Sequence, residues 1–180
     1  LTLLTGAAIL FRIRWSRRLF PYRVLFLGAV MVATCLNRTF LFASSSGLET
    51  ALYNFFLIFW IFSVLFLPAP GNLWLTVTSL AATGAYLTRP DGILPVLATI
   101  IIFGWGCRRR VLAWSPGRLA AVSPLLLVPI HLIWRRFFYG AWLPNTYFAK
   151  YSGPRPASGL RYFAAFILEY ALWFWLILLV

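Results

Sequence analysis

The sequence predicts an all-α fold, a polytopic bundle of transmembrane helices. Three observations carry that expectation. First, 62% of the 180 residues are hydrophobic and the mean hydropathy is +0.87, whereas a soluble domain is about half apolar. Second, the apolar residues fall into long runs parted by short polar joints, and runs of roughly 18 or more residues indicate membrane spans. Third, the charges collect in the joints, 16 Lys and Arg against three acidic residues, for a formal net charge of +13. In a soluble chain that balance points to nucleic acid. Here the cations stand at the ends of apolar runs, where they set topology and meet anionic lipid head groups, so membrane lipids are expected as partners and nucleic acid is not. Residues 1–180 read as a single transmembrane domain of about six spans plus a truncated one.

The chain opens inside an apolar run, Leu1–Phe11, and ends inside another, Ala171–Val180. It is therefore expected to be a piece of a longer membrane protein. Leu1–Phe11 is expected to be the cut end of a span; the alternative, a signal-peptide core, calls for a basic segment before it and a small-residue cleavage site after it. A basic joint follows, with Arg12, Arg14, Arg17, Arg18 and Arg23. The next run, Val24–Ala43, is interrupted late by Asn37 and Arg38. Ser44-Ser45-Ser46-Gly47 is a loop, and Glu49 opens the run Ala51–Leu67. Pro68-Ala69-Pro70-Gly71-Asn72 predicts a tight turn before the run Leu73–Leu87. Pro90 keeps Arg89 out of the helical region, so that helix should stop by Thr88. Asp91 is then placed to cap the helix that begins at Gly92 and continues through Ile93–Phe103 to Cys107. A second basic joint carries Arg108, Arg109, Arg110 and Arg118. The run Leu119–Trp134 holds Pro124 and Pro129, each of which removes a backbone donor and predicts a kink next to His131. A long polar joint, Arg135–Arg161, leads to the last run near Tyr162.

If each run crosses once, one side carries Arg12, Arg14, Arg17, Arg18, Arg23, Arg108, Arg109, Arg110 and Arg118. The other carries Arg38, Arg89, Arg135, Arg136, Lys150, Arg155 and Arg161. The more basic side is assigned to the cytoplasm, which faces Glu49, Asp91 and Asn145 outward. Cys35 and Cys107 read as small apolar residues rather than a disulfide or metal pair. No zinc cluster, no phosphate-cradling Gly-rich loop and no Ser-His-Asp arrangement is present in the sequence.

Three outward segments hold the candidate site. Arg89 and Asp91 sit two residues apart at a membrane boundary: a helix cap beside a snorkelling arginine, or a site in which Arg89 binds an anionic group and Asp91 positions a hydroxyl or the arginine itself. Glu49 is a first-turn acid favoured by the helix dipole, or a carboxylate that hydrogen-bonds a sugar or orients a cation. The segment Tyr139–Lys150 combines Tyr139, Trp142, Tyr147 and Phe148 with Asn145, Thr146 and Lys150. Its aromatic rings suit either an interfacial belt or the faces of sugars, and its lysine can neutralise a phosphate. Glu169 has no cation within a helical turn, and His131 fits an interhelical hydrogen bond better than catalysis.

Gly47-Leu48-Glu49-Thr50, then Leu87-Thr88-Arg89-Pro90-Asp91-Gly92, then Tyr139-Gly140 through Leu143-Pro144-Asn145-Thr146-Tyr147 to Lys150 occur in that order. Together they resemble the bacterial glycosyltransferases of the type C superfamily (GT-C), and in particular the mycobacterial terminal arabinofuranosyltransferase family. The likeness covers about Val24–Lys150. It implies a multi-pass enzyme of the bacterial plasma membrane whose site faces the periplasm or exterior. It further implies transfer of a sugar from a polyprenyl-phosphate donor to a glycan or lipid acceptor of the cell envelope. A carboxylate would act as base on the acceptor hydroxyl, and cations would stabilise the departing lipid phosphate. In this family the catalytic acid usually lies in the first outer loop, which is expected to precede Leu1, so no catalytic residue is assigned within the chain. Glu49, Arg89, Asp91, Tyr139, Asn145, Tyr147 and Lys150 are expected to line the substrate site. No cofactor or metal site is implied, although a divalent metal stays open. The alternative is a transporter or lipid-glycan flippase, or a membrane protein without chemistry; against a transporter stand the missing internal repeat and the charges at span ends.

Overall fold

The computed structural model describes residues 1–17, 19–45, 48–109, 111–113, 115–142 and 156–169. Every regular element among them is helical: α1 (Thr2–Arg12), α2 (Arg23–Leu36), α3 (Arg38–Ser45), α4 (Leu48–Phe66), α5 (Asn72–Thr88), α6 (Ile93–Arg108), α7 (Pro116–Val122), α8 (Leu127–Tyr139) and α9 (Pro156–Glu169). Short 3-10 turns cover Phe20–Tyr22, Pro90–Gly92 and Ser123–Leu126. Three helical stretches are long and apolar enough to cross a membrane: Glu49–Phe66, Pro90–Arg108 and Pro116–Tyr139. The chain divides into two compact units, Leu1–Trp142 and Leu143–Val180. The second contributes α9 to the described residues, ending at Glu169.

The helix at the centre of the first unit is α5. Trp74, Leu75, Thr78, Ser79, Ala81, Ala82, Thr83, Ala85 and Tyr86 are all buried along it. In lipid the drive to bury apolar surface between helices is absent, so close backbone approach and interhelical hydrogen bonds hold a bundle together. The small residues of α5 meet that requirement. Gly84 leaves room for the Phe56 ring of α4, which would lie 2.5 Å from a β-carbon there. The hydroxyls supply the bonds. Thr78 donates to Ser63 of α4 at 3.1 Å, and Ser63 passes its own proton to the Trp60 carbonyl at 2.8 Å. The Trp60 indole N–H donates to Thr99 of α6 at 2.8 Å. Against α6, Trp74 meets Phe103 with ring centroids 5.3 Å apart, and further along α5 Ala82 and Tyr86 cluster with Val96 of α6 and Val128 of α8. By contrast, large side chains on the outer faces of α6 and α8 are exposed, the arrangement a lipid solvent permits and water does not.

The joints fall largely where the sequence placed them. α5 ends at Thr88, and Arg89 is extended at φ −146° and ψ 144°. The run Val24–Ala43 differs: it is broken into α2 and α3. Asn37 adopts an extended backbone, and its side-chain oxygen accepts the Phe40 N–H at 2.9 Å. That local bond starts a new helix and outcompetes continuation of the old one.

The two prolines of the Leu119–Trp134 run act as one interruption. Pro124 opens the 3-10 turn between α7 and α8. Pro129 falls in the first turn of α8, where a missing N–H removes little. Neighbouring groups serve the carbonyls around the interruption: the Ser123 hydroxyl donates to the Ala120 carbonyl at 2.8 Å, and the Thr83 hydroxyl of α5 donates to the Pro124 carbonyl at 3.1 Å. The interruption, which falls at Ser123–Leu126 rather than next to His131, is thus tied to the central helix.

Candidate functional site

Two ends of the first unit can be told apart. At one, α1, α4 and α6 finish while α5 and α7 begin. There Arg12 donates to the Phe66 carbonyl at 3.4 Å and stacks on Phe62. The other end holds the start of α4, the Arg89–Gly92 joint, the start of α6 and the last turns of α8. The described site candidates Glu49, Arg89, Asp91 and Tyr139 all lie at this second end.

Arg89 is the centre of the cluster. Its Nη2 lies 3.1 Å from an Asp91 carboxylate oxygen. Its Nη1 approaches the Thr50 hydroxyl at 3.5 Å, and its guanidinium carbon lies 5.8 Å from the centroid of the Tyr53 ring. The Arg89 Nε is buried without a hydrogen-bond partner, while 36% of the side chain as a whole is exposed. Asp91 therefore departs from the capping role expected of it. The helical path starts at Pro90, which needs no donor, with extended Arg89 before it. Asp91 is then already inside the turn, no side-chain cap bond forms there, and its carboxylate turns to the arginine instead. Gly92 brings this joint against α5 so closely that a β-carbon there would lie 2.2 Å from the Ala85 carbonyl carbon.

Glu49 occupies the first turn of α4 and is exposed. It stands one residue from Thr50 and one helical turn from Tyr53, so Arg89 reaches the helix that carries it. Thr50 and Tyr53 were not singled out from sequence, although the i, i+4 relation to Glu49 puts Tyr53 on the same face.

A second arm reaches this end along α8. The Tyr86 hydroxyl and His131 Nδ1 are 3.0 Å apart and their rings meet edge-on, which makes His131 an interhelical partner. From His131 the aromatic contacts continue through Trp134 to Phe138 and Tyr139. Arg135, one turn after His131, holds a buried Nε without a partner. Tyr139 ends α8 about 12 Å along the axis from His131, and Gly140 caps the helix in the left-handed conformation at φ 71°. Asn145, Tyr147 and Lys150 lie outside the described residues. Among the described residues no group of three or more His, Cys, Asp or Glu could hold a metal ion.

Comparison with protein-family models, with curated proteins and with solved structures yields no match.

Proposed function

We propose that this chain is the membrane domain, or part of it, of a glycosyltransferase that moves a sugar from a polyprenyl-phosphate donor to a cell-envelope acceptor. In this reading the domain is GT-C-like, with about six spans plus a truncated one. It sits in the bacterial plasma membrane with the Arg89 end facing outward. The observation that best supports the reading is the Arg89 cluster. A guanidinium stands at one end of an apolar bundle, held by Asp91, Thr50 and Tyr53. A cation held in place before the substrate arrives is what a departing lipid phosphate needs, because no reorganisation is required as negative charge develops.

Arg89 binds the lipid phosphate, and Asp91 orients Arg89. Glu49 and Tyr139 face the sugar or the acceptor. Lys150 on the phosphate, with Asn145 and Tyr147 on the sugar, enter the proposal on the sequence resemblance alone. The base that activates the acceptor hydroxyl is assigned to none of these residues.

The test is Arg89→Ala in the full-length enzyme, assayed for transfer with a polyprenyl-phosphate sugar. Loss of one charge-assisted contact of about 1.5–3 kcal/mol lowers kcat/KM by roughly 10- to 150-fold. Unchanged transfer and unchanged donor affinity would remove the phosphate role.

A further inference from the structure

The end of the unit opposite Arg89 has a different character. Arg12, Arg14, Arg17, Arg23, Arg108, Arg109 and Arg118 belong to it, and the two acids of the first unit, Glu49 and Asp91, stand at the other end. Asp91 is about 25 Å from Arg108 along α6, well beyond the screening length at physiological salt. Trp105, Arg108 and Arg109 line an open cleft of about 480 Å³. The Arg109 guanidinium lies 5.1 Å from the centroid of the Trp105 ring.

The cleft does not stop at its charged rim. Leu94, Leu97, Ile101, Trp105 and Arg108 follow one another at spacings of three and four residues, so they share one face of α6. Leu94 is 67% exposed, Leu97 48%, Ile101 67% and Trp105 59%. From Trp105 back to Leu94 this stripe is roughly 17 Å long, close to the hydrocarbon depth of one leaflet. An uncovered apolar stripe that ends in an indole and two guanidinium groups has the polarity profile of an amphiphile: acyl chain, interface, anionic head group.

We infer that the outer face of α6 is a binding site for an anionic phospholipid. Its phosphate is held by Arg108 and Arg109, its glycerol region lies against Trp105, and an acyl chain runs along Ile101, Leu97 and Leu94. The site is independent of the Arg89 cluster and of the transferase reading. A free phosphate would use the arginines and leave the stripe uncovered, so a lipid is the occupant that accounts for both parts.

Native mass spectrometry of the purified chain in detergent tests the site. The probes are phosphatidylglycerol, phosphatidylcholine and soluble glycerol phosphate. Phosphatidylglycerol is expected to be retained in preference to phosphatidylcholine, and glycerol phosphate at the same concentration is expected not to displace it. The double variant Arg108→Gln/Arg109→Gln is expected to bind phosphatidylglycerol about 30-fold more weakly, each arginine near the surface contributing roughly fivefold. The control Arg14→Gln/Arg17→Gln removes the same charge from the same end and is expected to stay within about twofold of the parent if charge alone is not the determinant. Trp105→Ala leaves both cations in place and is expected to weaken binding about fivefold, which keeps the site testable if the double variant does not fold. Equal retention of the two phospholipids, equal losses in the two double variants, unchanged binding in Trp105→Ala, or displacement by glycerol phosphate would each overturn the site.

Discussion

Gly92→Ala tests the joint that carries the Arg89 cluster. The added β-carbon would lie 2.2 Å from the Ala85 carbonyl carbon, 2.3 Å from the Ala85 oxygen and 2.3 Å from the Tyr86 nitrogen. Ordinary carbon contacts lie near 3.5–4.0 Å, so the joint must withdraw from α5 by more than an ångström. The obstacle is helix backbone and cannot rotate away. The Gly92 backbone itself is ordinary, at φ −63°, so the whole effect is steric. Overpacking of this kind costs about 1–3 kcal/mol. The matched control is Gly104→Ala in α6, where nothing lies within 4 Å of the added carbon and replacing a mid-helix glycine gains up to about 1 kcal/mol. Thermal unfolding in detergent, followed by tryptophan fluorescence, should show Gly92→Ala melting several degrees below the parent and Gly104→Ala at or above it. If Gly92→Ala melts with the parent, the close contact between the joint and α5 is wrong, and with it the placement of Arg89 beside Thr50 and Tyr53.

Four further outcomes follow from the polar contacts of the first unit. Thr99→Val leaves the Trp60 N–H without its acceptor and should cost about 1–3 kcal/mol. Thr78→Val should cost nearer 0.6 kcal/mol, since Ser63 keeps its bond to the Trp60 carbonyl; equal melting temperatures for the two variants contradict that ranking. Asp91→Asn removes an exposed ion pair and should change stability by less than about 1 kcal/mol, yet on the proposed function it should still slow transfer by loosening Arg89; a large fall in melting temperature instead makes Asp91 a structural residue. Tyr86→Phe leaves His131 Nδ1 without its α5 partner and should cost roughly 1 kcal/mol, with the His131 ring resonance in NMR reporting the lost contact.

Helix ends were legible because their signals are local. Pro90 stops α5 at Thr88, and Pro68 through Asn72 turns the chain before α5. Asn37 was visible as an interruption, but whether it dents one helix or starts another depends on its side chain meeting the Phe40 N–H, a bond that composition does not show. The same holds at Asp91, where capping and pairing with Arg89 are both local options and the position of Pro90 in the turn selects the second.

An all-helical, strongly apolar chain with its cations gathered at helix ends is readable from local sequence, because hydropathy, proline and glycine act through the few residues around them. Which helix is central emerges from the packing. α5 carries Thr, Ser, Gly and Ala, residues that suit close helix contact, but the partners they meet lie on other helices. In a chain apolar nearly all round, periodicity does not separate a lipid-facing side from a protein-facing one. What selects α5 is close approach: Gly84 against Phe56, Gly92 against Ala85, and hydroxyls that find partners on α4 and around the Pro124 turn. Those contacts join residues far apart in sequence, and they exist only once the helices are packed.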